Sequence, residues 1–297
     1  MSGLRVRSDF PLPDLLAWTG EDRPVDLRIC LASVPQRLED AVVTQPLLQV
    51  AADGRCRFAL PQVAAYLVSA DGRAVSIDIA EGAAPAAVRT FLYGTVFAVV
   101  CHRRGLLPLH ACCVRIGDKA VAFAGDSGAG KSTLALGLSE RGYALLADDV
   151  TAVDTEAPGG PTALPSFPRL KLWRDALARA GLSTDGLEEV RTGQGKYQLS
   201  LEHRYCPTPL PLAGLIHLDK DERGPLGLRP VPAREGLGLL SSVLYRPRLL
   251  LRLGTQQRQM QQFLRLLGSV GGISAMRRPE SPAEWDRIAE LLPALAA

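Results

Sequence analysis

Gly125-Asp126-Ser127-Gly128-Ala129-Gly130-Lys131-Ser132, followed by Thr133, is the stretch that decides how this chain is interpreted. It matches the phosphate-binding loop G-x-x-x-x-G-K-[ST] at every fixed position. The apolar run 120–124 before it predicts a buried strand, and residues 132–141 after it have the periodicity of a helix. Strand, glycine-rich loop and helix therefore follow one another in the order that this motif requires. A glycine-rich turn that matches by chance is the alternative, and the flanking elements argue against it.

Each residue type in this loop has a physical reason. Glycines let successive backbone N–H groups point inward at a phosphate, and the start of the following helix attracts an anion. We expect residues 125–133 to bind ATP, with Lys131 at the β and γ phosphates and the Ser132 hydroxyl on Mg²⁺. The chain has only five lysines among 34 basic residues, so a lysine here is not a default choice. Dinucleotide binding is excluded because Thr133 stands where G-x-G-x-x-G needs its third glycine.

The whole-chain composition is that of an ordinary globular protein. Its 297 residues allow one large domain or two modest ones. The net charge of +3 is small and no basic run is interleaved with aromatic residues, so we expect no nucleic-acid partner. The six cysteines form no C-x-x-C pair, which predicts reduced thiols in a cytoplasmic protein.

Membrane attachment is not expected either. The amino-terminal segment lacks the apolar region of a secretory signal. The most hydrophobic stretch, residues 88–101, is short for a bilayer span and predicts a buried helix.

The pattern predicts an α/β protein in two parts. Residues 1–105 form a small antiparallel β-rich region, with hairpins at Asp53-Gly54 and Asp71-Gly72, that ends in a helix over 83–105. This region could recognise a substrate, cover a sheet edge or mediate homo-oligomer contact. Residues 106–297 form a P-loop kinase domain that ends in amphipathic helices over 256–267 and 282–295.

His110 lies in a predicted strand over 106–115, which a turn at Gly117-Asp118 connects to the phosphate-loop strand. Such a hairpin would bring His110 near the nucleotide. A histidine satisfied within the core is an equally good interpretation of the spacing.

Asp148 and Asp149 end the next predicted strand, residues 143–147. About ten residues of helix separate this strand from the loop, which suits a right-handed crossover to a parallel strand. Both loops would then emerge at the carboxyl edge of the sheet, where ligands bind in such folds. One carboxylate can hold Mg²⁺ beside Ser132 and the other can accept a proton from an attacking hydroxyl, without the sequence assigning the roles. A capping or turn Asp-Asp pair is the alternative.

Residues 123–133 (FAGDSGAGKST) and 141–149 (RGYALLADD) together resemble the catalytic domain of the HPr serine kinase/phosphorylase family. His110, in Leu109-His110-Ala111, is similar to the histidine that precedes the loop in that family and sits near the reacting groups. The resemblance implies an HPr kinase-type core and a serine kinase that uses ATP and Mg²⁺. It also implies Asp148 as the proton acceptor, which leaves Asp149 and Ser132 to the metal, with Lys131 and His110 among the catalytic residues.

The chain departs from that family in two respects. A Glu-Ile-Arg-Gly-Leu-Gly-type segment is missing between residues 150 and 200, and residues 1–105 do not look like the family's regulatory domain. The chain more closely resembles the stand-alone HPr-kinase-like proteins, some of which phosphorylate a precursor peptide during lasso-peptide modification. Lys171, Arg191 and Lys196 are candidate contacts for the γ-phosphate or the substrate, or else solvated basic residues.

The sequence thus predicts a kinase that transfers the γ-phosphoryl group of ATP to a serine of a peptide or protein. A kinase of a small hydroxylated metabolite and a nucleotide-gated binding module without turnover are the alternatives. Whether phosphorylase activity accompanies the kinase is left open.

Overall fold

The computed structural model describes residues 1–20, 22–191, 193–219, 226–279 and 281–296. It divides the chain into two compact units. The first contains Gly3–Leu106 and Arg246–Arg258, and the second contains Leu107–Tyr245 and Gln259–Ala297. The sequence placed the boundary after residue 105 and assigned everything beyond it to one domain. The structure differs in giving Arg246–Arg258, which includes helix α7 (Pro247–Arg252), to the first unit.

The first unit is built on a seven-stranded sheet with the order β1-β2-β7-β6-β5-β4-β3. Its strands are β1 (Val6–Ser8), β2 (Leu27–Leu31), β3 (Ala41–Thr44), β4 (Leu48–Ala51), β5 (Cys56–Leu60), β6 (Ala64–Val68) and β7 (Ala74–Ile79). The hairpins at Asp53-Gly54 and Asp71-Gly72 are present as antiparallel β4–β5 and β6–β7 pairs. The expectation of a wholly antiparallel region was wrong, because β2 pairs in parallel with both β1 and β7. Long connections before and after β2 permit this, whereas tight turns permit only antiparallel pairs.

A long helix, Pro85–Arg103, contributes to the first unit's core. It consists of α1 (Pro85–Phe91), a π-helical turn (Leu92–Val96) and α2 (Phe97–Arg103). By length and composition alone it could cross a membrane, but 72% of its most apolar window is buried inside the protein. The Tyr66 hydroxyl donates to its Val88 carbonyl at 2.9 Å. The helix is therefore packed as a core element, as its sequence predicted.

The second unit is built on a nine-stranded sheet with the order β11-β9-β10-β16-β13-β12-β8, in which β18 pairs with β16 and β17 with β18. The strands are β8 (Leu107–Leu109), β9 (Ala111–Ile116), β10 (Lys119–Ala124), β11 (Leu145–Ala147), β12 (Thr151–Asp154), β13 (Thr162–Leu164), β16 (Leu210–Asp219), β17 (Arg229–Pro230) and β18 (Ser274–Arg277). Two further strands, β14 (Arg169–Trp173) and β15 (Lys196–Ser200), form a separate antiparallel pair. The remaining helices are α3 (Lys131–Glu140), α4 (Arg174–Arg179), α5 (Ala233–Gly238), α6 (Leu240–Val243), α8 (Gln256–Ser269), α9 (Pro282–Leu291) and α10 (Pro293–Ala296).

Strand β10 lies at the centre of this sheet, parallel to β16 and antiparallel to β9. Residues 120–124 are all fully buried, which explains their unbroken apolar run. Helix α3 follows β10 and packs against α9. Gly137 of α3 makes this close approach possible, because a Cβ there would lie 2.6 Å from the Trp285 ring.

Two predicted features of this sheet need correction. Strand β11 runs in the same direction as β10, as predicted, but β9 lies between them and is antiparallel to both. The strand predicted over 106–115 is two strands, β8 and β9, with a break at His110. This break occurs because the two halves pair with different strands, β8 with β12 and β9 with β10 and β11.

Candidate active site

The loop between β10 and α3 turns at three glycines with positive φ. Gly125, Gly128 and Gly130 have φ values of 144°, 80° and 90°, which side chains disfavour. At Gly125 a Cβ would also lie 3.0 Å from the carbonyl oxygen of Leu218. Both requirements explain why glycine stands at these positions, and the loop ends at the first residue of α3, Lys131.

Lys131 is buried with its ammonium group folded into the loop. Its Nζ donates to the carbonyl oxygens of Gly125 at 2.7 Å and Asp126 at 3.0 Å. Burial lowers the pKa of this amine below its ordinary value. The Cys112 thiol donates to the Lys131 carbonyl at 3.2 Å, so the start of α3 is tied to β9.

Asp148 directly follows β11 and is only 2% exposed. Its Oδ1 accepts a hydrogen bond from the Ser132 hydroxyl at 2.8 Å, and its Oδ2 accepts one from the backbone N–H of Lys171 at 2.9 Å. Burial, reinforced by the neighbouring Asp149 charge, raises the pKa of Asp148. Both oxygens are therefore already committed to the loop helix and to β14.

Asp149 points a different way because its backbone turns. Its φ of 68° is left-handed, and the Val150 N–H donates to the Asp148 carbonyl at 2.8 Å. Its Oδ2 accepts a hydrogen bond from Lys171 Nζ at 2.9 Å. Burial acts to raise the pKa of Asp149, but the Lys171 charge and hydrogen bond outweigh it and hold that pKa below its usual range. Asp149 is thus an ionised carboxylate.

His110 lies near Asp149 because the break between β8 and β9 faces the break between β11 and β12. Strands β8 and β12 pair on one side of the breaks, and β9 and β11 pair on the other. The Thr151 hydroxyl donates to the Ala111 carbonyl at 2.9 Å and ties the breaks together. His110 Nε2 then lies 3.9 Å from Asp149 Oδ1. Burial, together with the Lys131 charge, lowers the pKa of His110 to about 4, so the imidazole is neutral at pH 7.

Most of the predicted site residues line one cleft. Its walls are His110, Ser127, Gly128, Gly130, Lys131, Ser132, Thr133, Asp148, Asp149, Lys171, Leu172, Trp173 and Lys196. Gly125 and Ala129 are buried within the loop, and the Asp126 carbonyl accepts a hydrogen bond from Lys131 Nζ. Arg191 was a candidate contact, but it is an exposed residue outside the cleft lining.

The sequence did not single out Leu172 or Trp173. Trp173 is 44% exposed at the end of β14, and Lys196 Nζ lies 5.5 Å from the centroid of its ring. The position of Trp173 two residues after Lys171 could have indicated that both side chains face the cleft. The same spacing is equally typical of a buried strand.

The pair Ser132 and Asp148 fits a magnesium ion. A hydroxyl and a carboxylate are hard oxygen ligands, and Mg²⁺ in proteins usually takes one or two carboxylates together with waters and substrate phosphates. Among the described residues there is no group of three or more His, Cys, Asp or Glu side chains placed to hold a metal. Mg²⁺ held by Ser132 and Asp148 would complete its coordination sphere with waters and substrate oxygens.

Comparison of the sequence with protein families and with curated proteins finds no match. Among solved structures, the chain is similar to the Hpr(Ser) kinase/phosphatase from Coxiella burnetii. The two are 16% identical, and the similarity covers 64% of this chain and 87% of that one with a TM-score of 0.32. A score this low does not establish a shared architecture.

Proposed function

We propose that this protein transfers the γ-phosphoryl group of ATP to a serine hydroxyl of a peptide or protein. One observation carries the proposal: the ionised Asp149 carboxylate lines the same cleft as Lys131 and the glycine-rich loop. The serine oxygen forms a bond to the γ phosphorus as the bond to the β–γ bridging oxygen breaks. ADP leaves, and the hydroxyl proton goes to Asp149.

The geometry favours Asp149 as the proton acceptor, whereas the sequence resemblance implied Asp148. Asp148 is buried, with one oxygen bonded to the Ser132 hydroxyl and the other to a backbone N–H. A carboxylate beside the loop serine suits the metal-holding role in P-loop enzymes. Asp149 is more accessible, and its Lys171 partner keeps it ionised. We therefore assign Asp148 with Ser132 to the metal and Asp149 to the proton.

The cations around the cleft match a polyphosphate. Lys131 would exchange its two carbonyl partners for the β and γ phosphates, and the backbone N–H groups of the loop would surround the same groups. Lys196 adds positive charge at the cleft wall. Mg²⁺ at Ser132 and Asp148 would neutralise charge that develops on the phosphates. Neutral His110 can donate or accept a single hydrogen bond beside Asp149.

The geometry alone supports transfer to a hydroxyl, and the choice of a peptide serine rests on the resemblance carried by residues 123–149. The test is therefore an acceptor screen. Purified protein, Mg²⁺ and γ-labelled ATP are incubated with arrayed serine peptides, with the same peptides carrying alanine for serine, and with a panel of hydroxylated metabolites.

We expect label on serine peptides, none on their alanine counterparts, and loss of labelling in Lys131→Met. The matched control is Lys119→Met, which removes a lysine at the opposite end of β10. Labelling of metabolites without peptides would identify a metabolite kinase instead. ATP binding without transfer to any acceptor would identify a nucleotide-gated binding module, and absence of ATP binding would overturn all three.

A further inference from the structure

A second cleft of about 930 Å³ lies beside the phosphate loop. It is lined by Gly130, Thr133, Leu134, Arg179, Arg278, Pro279, Ser281 and Trp285. Gly130 and Thr133 also line the cleft that contains Asp149, so the two clefts meet at the beginning of α3. None of the proposed catalytic roles uses the side chains beyond this junction.

The sheet topology explains why this cleft adjoins the loop. Strands β10, β16 and β18 are successive parallel neighbours, so their carboxyl ends lie at one edge. The turn after β18 therefore lies beside the turn after β10. The Arg278 N–H donates to the Asp219 carbonyl at 3.2 Å, and the Arg278 Cδ atom is 3.9 Å from the position of a Cβ on Gly130.

The turn after β18 is also anchored to α9. Arg277 Nη2 donates to Glu284 Oε1 at 2.6 Å, and the Ser281 hydroxyl caps α9 by accepting from the Glu284 N–H at 3.4 Å. Trp285 of α9 packs on Gly137 of α3 and is only 5% exposed. The cleft is consequently a built feature of two packed helices and one strand end.

We propose that this second cleft holds the base and ribose of the nucleoside triphosphate. A triphosphate whose γ end lies beside Asp149 and Ser132 has its α end toward Gly130 and Thr133, where the second cleft begins. The proposal rests on the proposed function, since it takes the phosphate loop to bind a nucleotide.

The lining suits an aromatic base. The planar guanidinium groups of Arg179 and Arg278 can stack on a ring face, and Pro279 and Leu134 offer apolar contact.

The test compares ATP with inorganic tripolyphosphate, which has the phosphates without the nucleoside. Calorimetric titration of the full chain in Mg²⁺ gives a dissociation constant for each ligand, and their ratio reports the nucleoside contacts alone. We expect ATP to bind at least about tenfold more tightly than tripolyphosphate. Arg278→Ala and Arg179→Ala should each reduce this ratio about three- to tenfold. Arg265→Ala, on the exposed face of α8, is the matched control and should leave it unchanged.

Each other outcome has a distinct meaning. Equal binding of the two ligands by the unmodified protein, or an unchanged ratio in both cleft variants, overturns the nucleoside site and leaves the phosphate loop intact. Equal weakening of both ligands in a variant assigns that arginine to the phosphates and overturns its contact with the base. Failure of both ligands to bind the unmodified protein is a failure of the proposed function itself.

Discussion

The two walls of the cleft that contains Lys131 and Asp149 are built by different means. One wall is the loop before α3, in which Gly125 to Ser132 are consecutive in the chain and the glycine backbone angles permit the turn. The opposite wall comes from two strand breaks, at His110 and Asp149, that are far apart in sequence. The first wall depends on local residue types, whereas the second depends on the register of β8 with β12 and of β9 with β11.

This difference separates the proposed binding role from the proposed catalytic role. We propose that the loop wall holds the phosphates and that the wall of strand breaks supplies the carboxylate that accepts the proton. Substitutions in the two walls should consequently change different measured quantities, which makes the comparison testable.

The largest effect is expected from replacing each of the two aspartates with asparagine in turn. Asp149→Asn should lower kcat about 10²- to 10⁴-fold while nucleotide affinity stays near that of the unmodified protein, because the proton acceptor is lost. Asp148→Asn should instead raise the Mg²⁺ concentration needed for half-maximal transfer. Steady-state kinetics across a Mg²⁺ titration distinguish them. The reverse pattern would restore the roles that the sequence resemblance implied.

A smaller effect, a shift of the acidic limb of the kcat–pH profile to higher pH, is expected when Lys171 is replaced by methionine. Loss of its ammonium removes the charge that holds the Asp149 pKa down, so that pKa rises. Activity that needs ionised Asp149 should then disappear at a higher pH as the solution is acidified. Lys171→Arg keeps the charge and should keep the acidic limb of the kcat–pH profile low. Identical profiles for all three proteins would argue against this coupling.

His110 should make the fold sensitive to acid. Its pKa is lowered from 6.5 to about 4 by burial, so the unfolded chain binds a proton more readily than the native protein between these values. The free energy of unfolding should fall as pH drops from 6.5 toward 4, by up to about 3 kcal/mol from this group. Denaturant titrations at several pH values should show a shallower acid dependence in His110→Asn. An unchanged slope would mean that the imidazole is already charged in the native state.

The smallest effect concerns the helix behind the loop wall. Gly137→Ala puts a methyl group against the Trp285 ring and should lower the free energy of unfolding by about 1–3 kcal/mol. Gly268→Ala in α8 is the control, because no atom lies within 4 Å of the added carbon. That change should stabilise the protein by up to about 1 kcal/mol, since alanine favours a helix. Equal responses of the two variants in denaturant titration would contradict the tight packing of α3 on α9.

The sequence predicted the loop wall well and the opposite wall only in part. The strand, the glycine turns and the helix around Lys131 follow from contiguous residues, whose preferences act locally. The apolar run through β8 and β9 did not indicate that His110 interrupts a strand, because the break arises from different pairing partners. The left-handed turn at Asp149, which aims the two carboxylates apart, was equally invisible.

Two other differences between prediction and structure also come from contacts that the local sequence does not encode. The parallel pairs around β2 depend on how long connections pass over the sheet, which no local pattern encodes. Arg191 and Lys196 looked alike in a glycine-rich basic stretch, yet only Lys196 begins a strand that faces the cleft.

Lys131 donates to two carbonyl oxygens of its own loop, so any anion that binds the Lys131 ammonium group competes with these oxygens. A small anion from the surrounding salt would have to displace both oxygens and would contact only part of the row of backbone amides in return. A polyphosphate would displace the same oxygens but would contact more of these amides. The loop should therefore discriminate strongly against free phosphate and chloride at cellular salt concentrations.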